Sequence, residues 1–89
     1  MSSRAEKIRK IVLEIIENIA PDENMDLVKD DEPLREQLGL DSMDFLDIVM
    51  ELRKRYKIEV PEGDYPMLNT LASTVKYLIP KFKEIVFNK

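Results

Sequence analysis

The amino-acid sequence predicts a small all-α protein, a bundle of four helices with a short third helix and an extra turn before the second long helix. Its 89 residues are enough for one domain and too few for two. It contains only two glycines, and 44% of its residues are hydrophobic, a composition that favours packed helices over turn-rich sheets. Apolar residues also recur with helical spacing in three segments. We therefore expect one domain over residues 1–89, in which residues 81–89 form a basic and apolar C-terminal extension.

The first segment predicts a helix from about Ser3 to Ala20, which Pro21 ends. Its apolar residues form a single stripe that we expect to face the core. The stripe comprises Ile8, Ile11, Val12, Ile15, Ile16 and Ile19.

An acidic connection and one helical turn follow this helix. In the connection, residues 21–31, we expect three apolar side chains to approach the core: Met25, Leu27 and Val28. Residues 32–38 then predict the turn, with Pro33 near its first position. Leu34 and Leu38 are spaced four residues apart and would attach this turn to the core.

The connection also begins like a calcium-binding EF-hand loop, with Asp22, Asn24 and Asp26 at alternate positions. The pattern then fails, because the sixth position holds Leu27 instead of glycine and the twelfth holds Pro33 instead of glutamate. We therefore expect no metal site, and a calcium-responsive helical protein is the least favoured alternative.

The centre of the chain carries the start of a second long helix. Gly39 allows the chain to reverse, and the helix is expected to run from Ser42 to Tyr56 or Lys57. Either Asp41 or Ser42 can cap it. A serine here is exposed, at a place where backbone N–H groups and the helix dipole favour an attached anion. Ser42 is therefore either a cap or a point of attachment.

Two faces can be assigned to this helix. The predicted inward face contains Leu46, Val49, Met50 and Arg53, flanked by Leu52 and Tyr56. Phe45 and Ile48 fit this face less well. The predicted outward face contains Asp44, Asp47, Glu51, Lys54 and Arg55.

The remaining residues predict two more helices. Ile58 and Val60 are extended before Pro61. A short helix follows from Asp64, as its cap, to Leu68. Asn69 or Thr70 caps the last helix, which has Leu71, Val75 and Leu78 on one face, and Pro80 interrupts its pattern.

Composition excludes several classes of function. The chain has no histidine and no cysteine, so it lacks the commonest general base, the thiolate nucleophile and the usual transition-metal ligands. The absence of cysteine also suits a reducing cytoplasm. No apolar run is long enough for a membrane span. Residues 21–51 carry a net charge of −9, which argues against nucleic acid and for a partner with a basic surface.

The central motif, Gly39-Leu40-Asp41-Ser42-Met43, resembles that of the acyl carrier proteins. The resemblance extends along the whole domain: a long first helix, an acidic loop, the Asp-Ser pair, a second helix, a Val-Pro stop, a short helix and a last helix. It implies that Ser42 carries 4′-phosphopantetheine, transferred from coenzyme A by a phosphopantetheinyl transferase. Acyl groups would travel as thioesters on the thiol of that arm.

The resemblance also implies two surfaces. One docks partner enzymes and comprises Asp41, Met43, Asp44, Phe45, Asp47, Ile48 and Glu51. The other lines an acyl pocket and comprises Leu46, Val49, Met50, Leu68, Leu71, Ala72 and Val75. Three departures from the family's pattern favour a specialised carrier: Arg53-Lys54-Arg55, Tyr65 beside Pro66, and a tail after Pro80 that is longer than the resemblance requires.

The resulting hypothesis is a freestanding, monomeric, cytoplasmic acyl carrier without enzymatic activity. It would serve acyl-transferring and acyl-modifying enzymes of fatty-acid, lipid or polyketide synthesis. Two alternatives stay open: a peptidyl or aminoacyl carrier, and a helical interaction module whose serine is never modified.

Overall fold

The computed structural model describes residues 4–82 of the chain. This part contains four α-helices and two 3₁₀ helices, joined by loops. The α-helices are α1 (Arg4–Ile19), α2 (Leu34–Leu38), α3 (Ser42–Tyr56) and α4 (Leu71–Phe82), and the 3₁₀ helices are Met25–Leu27 and Glu62–Leu68. In residues 4–82, the β-type backbone pairing consists of one isolated antiparallel bridge between Pro33 and Thr70. The predicted all-α fold is confirmed.

Helix α1 is the central packing element, since it contacts both α3 and α4. The predicted stripe is confirmed: four of its residues are buried, and the other two are partly buried against the core. Burial of one such aliphatic side chain stabilises a fold by about 1.5–3 kcal/mol. The buried four are Ile8, Val12, Ile15 and Ile16.

The acidic connection is attached to the bundle by Asp30. The Arg9 guanidinium donates to both Asp30 carboxylate oxygens, at 2.9 Å from Nε and 2.8 Å from Nη2. This hydrogen-bonded pair lowers the pKa of Asp30. Val28 is buried and Met25 partly buried, as expected, but Leu27 is 73% exposed and the prediction for it was wrong. Leu27 closes a 3₁₀ turn that projects into solvent.

The predicted faces of α3 were rotated by roughly a quarter turn. Ile48 and Leu52 are buried, and Phe45, Val49 and Tyr56 pack partly buried against the core. Of the residues predicted to face inward, Leu46 and Met50 are exposed. The helix ends at Tyr56, and Lys57 follows as its C-cap residue, whose N–H donates to Arg53 O at 2.9 Å.

The predicted N-terminal caps of the two C-terminal helices can be compared with the structure. Asp64 does not cap the Glu62–Leu68 helix, because this 3₁₀ helix begins two residues earlier, after Pro61. Asp64 accepts a hydrogen bond from Tyr77 Oη at 2.5 Å. Thr70 caps α4: its Oγ1 accepts from the Ser73 N–H at 3.0 Å, and Ser73 Oγ accepts from the Thr70 N–H at 3.2 Å.

Helix α4 continues through Pro80 to Phe82, so the expected interruption does not occur at the proline. The reason is packing: Phe82 is fully buried, and its ring meets the Tyr56 ring edge-on with 5.2 Å between centroids. Lys81 Nζ lies 5.1 Å from the centroid of the Tyr77 ring. The first two residues of the predicted extension thus belong to α4, and residues 83–89 lie outside the described residues.

Candidate attachment site at the start of helix α3

A sharp reversal of the chain places Ser42 at the corner of the bundle. Gly39 ends α2 in the left-handed region, with φ of 63°, where an L side chain is strained. Leu40 is then buried, and Asp41 is extended, with φ of −112° and ψ of −175°. Since both sides of the reversal are anchored in the core by Leu38 and Leu40, the next residue, Ser42, begins α3 in an exposed position.

Asp41 caps α3, which leaves the hydroxyl of Ser42 outside the cap. The Asp44 N–H donates to Asp41 Oδ1 at 3.0 Å, and the Asp41 N–H donates to Asp44 Oδ2 at 3.1 Å. This reciprocal pair is a capping box, with aspartate in the place of the more usual glutamate. The sequence left open whether Asp41 or Ser42 is the cap, and the structure assigns that role to Asp41.

The first turn of α3 is suited to an anion. Of its backbone N–H groups, Asp44 donates to the cap and Phe45 donates to Asp41 O at 3.2 Å. The N–H groups of Ser42 and Met43 donate no hydrogen bond to any residue in 4–82. Free N–H groups and the positive end of the helix dipole stabilise a negative charge at this position. A phosphodiester on the Ser42 hydroxyl would therefore fit the donors that are present.

Two neighbouring elements complete the site. Arg35 of α2 reaches back across the reversal, and its Nη2 donates to Ser42 Oγ at 3.4 Å. Beside them is an open cleft of about 270 Å³, between α2, α3 and the Glu62–Leu68 helix. It is lined by Arg35, Ser42, Phe45, Tyr65, Pro66 and Asn69. Arg35 was not predicted to take part in the site, because its contact with Ser42 depends on how the six intervening residues fold.

The predicted docking residues do not all share one surface. Asp41, Met43 and Asp47 are exposed, and Asp44 and Glu51 are partly buried in the cap and in an ion pair. Glu51 Oε1 accepts from Arg55 Nε at 2.8 Å, one helical turn away. Phe45 is partly buried at the cleft. Ile48 is 2% exposed, so its assignment to a docking surface was wrong: the side chain belongs to the core.

The predicted acyl-pocket residues are likewise dispersed. Leu68, Leu71 and Val75 are buried and Val49 is partly buried, so these four have core positions. Leu46 and Met50 lie on the opposite side of α3, where they are 36% and 65% exposed. Ala72 is exposed and faces a separate cleft between α1 and α4. Leu46 and Met50 therefore face away from the core, because α3 is rotated relative to the prediction, and Ala72 of α4 faces a different cleft. The assignment of these three residues to an acyl pocket stays a prediction.

The described residues were also searched for metal sites and membrane-spanning helices. Among residues 4–82, no group of three or more acidic, histidine or cysteine side chains is placed to hold a metal ion. Asn24 of the EF-hand-like segment instead accepts from the Asp26 N–H at 2.9 Å. None of the helices in that range has the length and apolar character that crossing a membrane requires.

Comparison with known proteins agrees with the geometry of this site. Residues 6–78 match the family model described as "Phosphopantetheine attachment site". The chain is 32% identical over 71 residues to the acyl carrier protein of Sulfurovum sp., an alignment that covers 80% of this chain and 88% of that protein. It is 34% identical over 73 residues to the acyl carrier protein of Campylobacter hominis, covering 82% and 86% of the two chains.

A third relative, the acyl carrier protein of Zymomonas mobilis, is 31% identical over 78 residues, covering 88% of this chain and 94% of that protein. The family match spans the Gly39–Ser42 reversal, α3 and most of α4. The cofactor of this family is 4′-phosphopantetheine. The chain therefore belongs to the acyl carrier protein family, and its function is to carry acyl groups.

Proposed function

We propose that Ser42 is the residue to which 4′-phosphopantetheine is attached. The observation that carries this proposal is the exposed Ser42 hydroxyl at the first position of α3, free of capping because Asp41 provides the cap. The neighbouring N–H groups favour the negative charge that attachment brings. Nothing in this arrangement requires the hydroxyl for the stability of the helix.

The chemistry divides between this chain and its partners. In the attachment step, Ser42 Oγ forms a bond to the pantetheine-side phosphorus of the pyrophosphate of coenzyme A. The bond from that phosphorus to the bridging oxygen breaks, adenosine 3′,5′-bisphosphate leaves with this oxygen, and the hydroxyl proton passes to a base of the transferase. The attached arm supplies a terminal thiol that carries acyl groups as thioesters. The chain has no cysteine that could do this, and it has no histidine to act as a base. We infer that it is not an enzyme and that acyl transfer and modification take place on other proteins.

The solvent-facing side of α3 is the proposed docking face. It combines acidic side chains with an apolar strip, and we define it by Asp41, Met43, Asp44, Leu46, Asp47, Met50 and Glu51. Met43 and Met50 are 67% and 65% exposed, which is unusual for large apolar side chains. Acidic groups around exposed methionines suit a partner surface that is basic at its rim and apolar at its centre. We expect the carrier to be a cytoplasmic monomer that meets its partners one at a time through this face.

The intact mass of the protein tests the assignment of Ser42. Incubation with coenzyme A and a phosphopantetheinyl transferase should add one phosphopantetheine to the wild type and none to Ser42→Ala. Ser73→Ala is the matched control, because it removes another serine hydroxyl near the start of a helix and should still gain one arm. An unmodified wild type would favour the alternative of a helical interaction module, and an arm on Ser42→Ala would place the attachment elsewhere.

A further inference from the structure

The contact between Arg35 and Ser42 is separate from the N-terminal cap of α3, because Asp41 and Asp44 form the capping box without it. We propose that Arg35 is a positioning residue that binds the phosphodiester of the attached arm and so fixes the arm's first bonds at the cleft beside Ser42. This inference rests on the proposed attachment of the arm to Ser42, but it can fail while that attachment stands.

The geometry of the hydroxyl contact supports the proposal. Arg35 Nη2 lies 3.4 Å from Ser42 Oγ, which is long for a hydrogen bond to a neutral hydroxyl. Attachment converts Oγ to an ester oxygen bonded to phosphorus, and the two non-bridging oxygens on that phosphorus share one negative charge. A guanidinium that already reaches Oγ is within reach of those oxygens. Arginine binds phosphate through two parallel N–H donors, and such charge-assisted bonds are shorter and stronger than neutral ones.

Arg35 is also available for this role, unlike two other arginines of the bundle. Arg9 is paired with Asp30 and Arg55 with Glu51, each at 2.8 Å. Among residues 4–82, Arg35 forms no ion pair, and its side chain donates a hydrogen bond to the Ser42 hydroxyl alone. Its positive charge is therefore not paired with a carboxylate of the described residues, and a phosphate on Ser42 would provide a negatively charged partner.

The anion would lie between donors from two elements. Arg35 approaches from α2, and the N–H groups of Ser42 and Met43 approach from α3. Because Arg35 and Ser42 both line the cleft of about 270 Å³, a phosphodiester held between them directs the following bonds of the arm along the cleft wall. Arg35 is exposed, so the gain is that of a screened surface pair, at most about fivefold in the ratio of held to free arm.

Phosphorus NMR of the arm-loaded protein tests this proposal directly. The ³¹P resonance should shift between the wild type and Arg35→Ala, and the wild-type resonance should approach that of the variant as salt is added, because salt screens the pair. The ³¹P resonance of Arg35→Lys should lie between those two, since lysine keeps the positive charge but lacks the two parallel N–H donors of the guanidinium. Arg53→Ala, which removes an exposed arginine from the far end of α3, should leave the resonance at the wild-type position. Identical ³¹P spectra for wild type and Arg35→Ala would overturn the proposal while leaving the attachment established.

A second measurement uses the wild type alone and covers the case in which Arg35→Ala does not accept the arm or does not fold. In ¹H–¹⁵N spectra of the side chains, the Nε–H resonance of Arg35 should move on attachment of the arm, and that of Arg53 should not. A stationary Arg35 resonance overturns the proposal. A wild type that accepts no arm overturns the proposed function and this inference together.

Discussion

At the scale of single residues, two backbone positions determine how the helices around the site end. Gly39 and Lys57 both lie in the left-handed region, with φ of 63° and 58°. Glycine adopts this conformation without steric cost, whereas a residue with a Cβ is destabilised there by about 1 kcal/mol. The Lys57 N–H donates to Arg53 O at 2.9 Å, which is the bond of the αL motif, a helix end that most often has glycine at the left-handed position.

We therefore expect Lys57→Gly to raise the free energy of unfolding by about 1 kcal/mol. Gly39→Ala, in contrast, should lower it by a similar amount. No heavy atom lies within 4 Å of a Cβ built at Gly39, so that loss comes from the backbone alone. Urea denaturation followed by circular dichroism measures both changes. A loss of stability in Lys57→Gly would show that the lysine side chain contributes more than its strained backbone costs.

At the scale of elements, the sequence predicted which segments are helical better than it predicted how one of them faces. The residues of α1 follow one apolar stripe, and the structure buries that stripe. Helix α3 has apolar side chains on both sides, with Ile48 and Leu52 inward and Met43 and Met50 outward. Periodicity alone cannot decide between two apolar faces. Tertiary packing decides, because α1 contacts the side that carries the β-branched and leucine residues.

The candidate site shows the same division. Gly39, Asp41 and Ser42 lie close together in the sequence, and this local pattern predicted an exposed serine at the start of a helix. The contact of Arg35 with Ser42 and the cleft beside Tyr65 depend on the relative placement of α2, α3 and the Glu62–Leu68 helix. That placement is set by core packing over long sequence separations, which no local pattern encodes.

Of the hydrogen bonds between the Glu62–Leu68 helix and α4, the one that Tyr77 donates is sensitive to alkaline pH. Tyr77 Oη donates to Asp64 Oδ2 at 2.5 Å. Burial, together with this bond, raises the pKa of Tyr77 to about 12, from 10.0 in an unfolded chain. Because the folded state favours the neutral phenol, the stabilisation is fully present below pH 10.0 and is lost as the pH rises through about 12.

We expect Tyr77→Phe to lower the free energy of unfolding by about 1 kcal/mol near neutral pH, the usual net value of one hydrogen bond. The difference from the wild type should shrink between pH 10 and about 12, where the wild type loses its own bond. Denaturation profiles of both proteins across this range provide the measurement. Tyr65→Phe is the control, because the Tyr65 hydroxyl forms no hydrogen bond within residues 4–82. A constant difference across the range would contradict the assignment.

At the scale of the whole molecule, charge is divided along the chain. Residues 21–51, which include the first half of α3, carry a net charge of −9, and residues 52–89 carry +4. Helix α3 itself passes from Asp44 and Asp47 near Ser42 to Arg53-Lys54-Arg55 at its other end. We expect this distribution to present a directed field to an approaching enzyme and to orient the serine end of α3 toward a partner with a basic surface.

The docking face therefore predicts a salt-dependent defect for a charge reversal close to Ser42. Asp47→Lys is the suitable change, because Asp44 also belongs to the capping box and its replacement would disturb the helix. We expect modification by the transferase to slow several-fold at low salt and to approach the wild-type rate as salt is added, since the Debye length falls from about 30 Å at 0.01 M to about 3 Å at 1 M. Glu59→Lys is the matched control, an exposed acid beyond the end of α3 that should leave the rate nearly unchanged. If Asp47→Lys and Glu59→Lys slowed the reaction equally, net charge and not the docking face would govern association, and the partner surface would lie elsewhere.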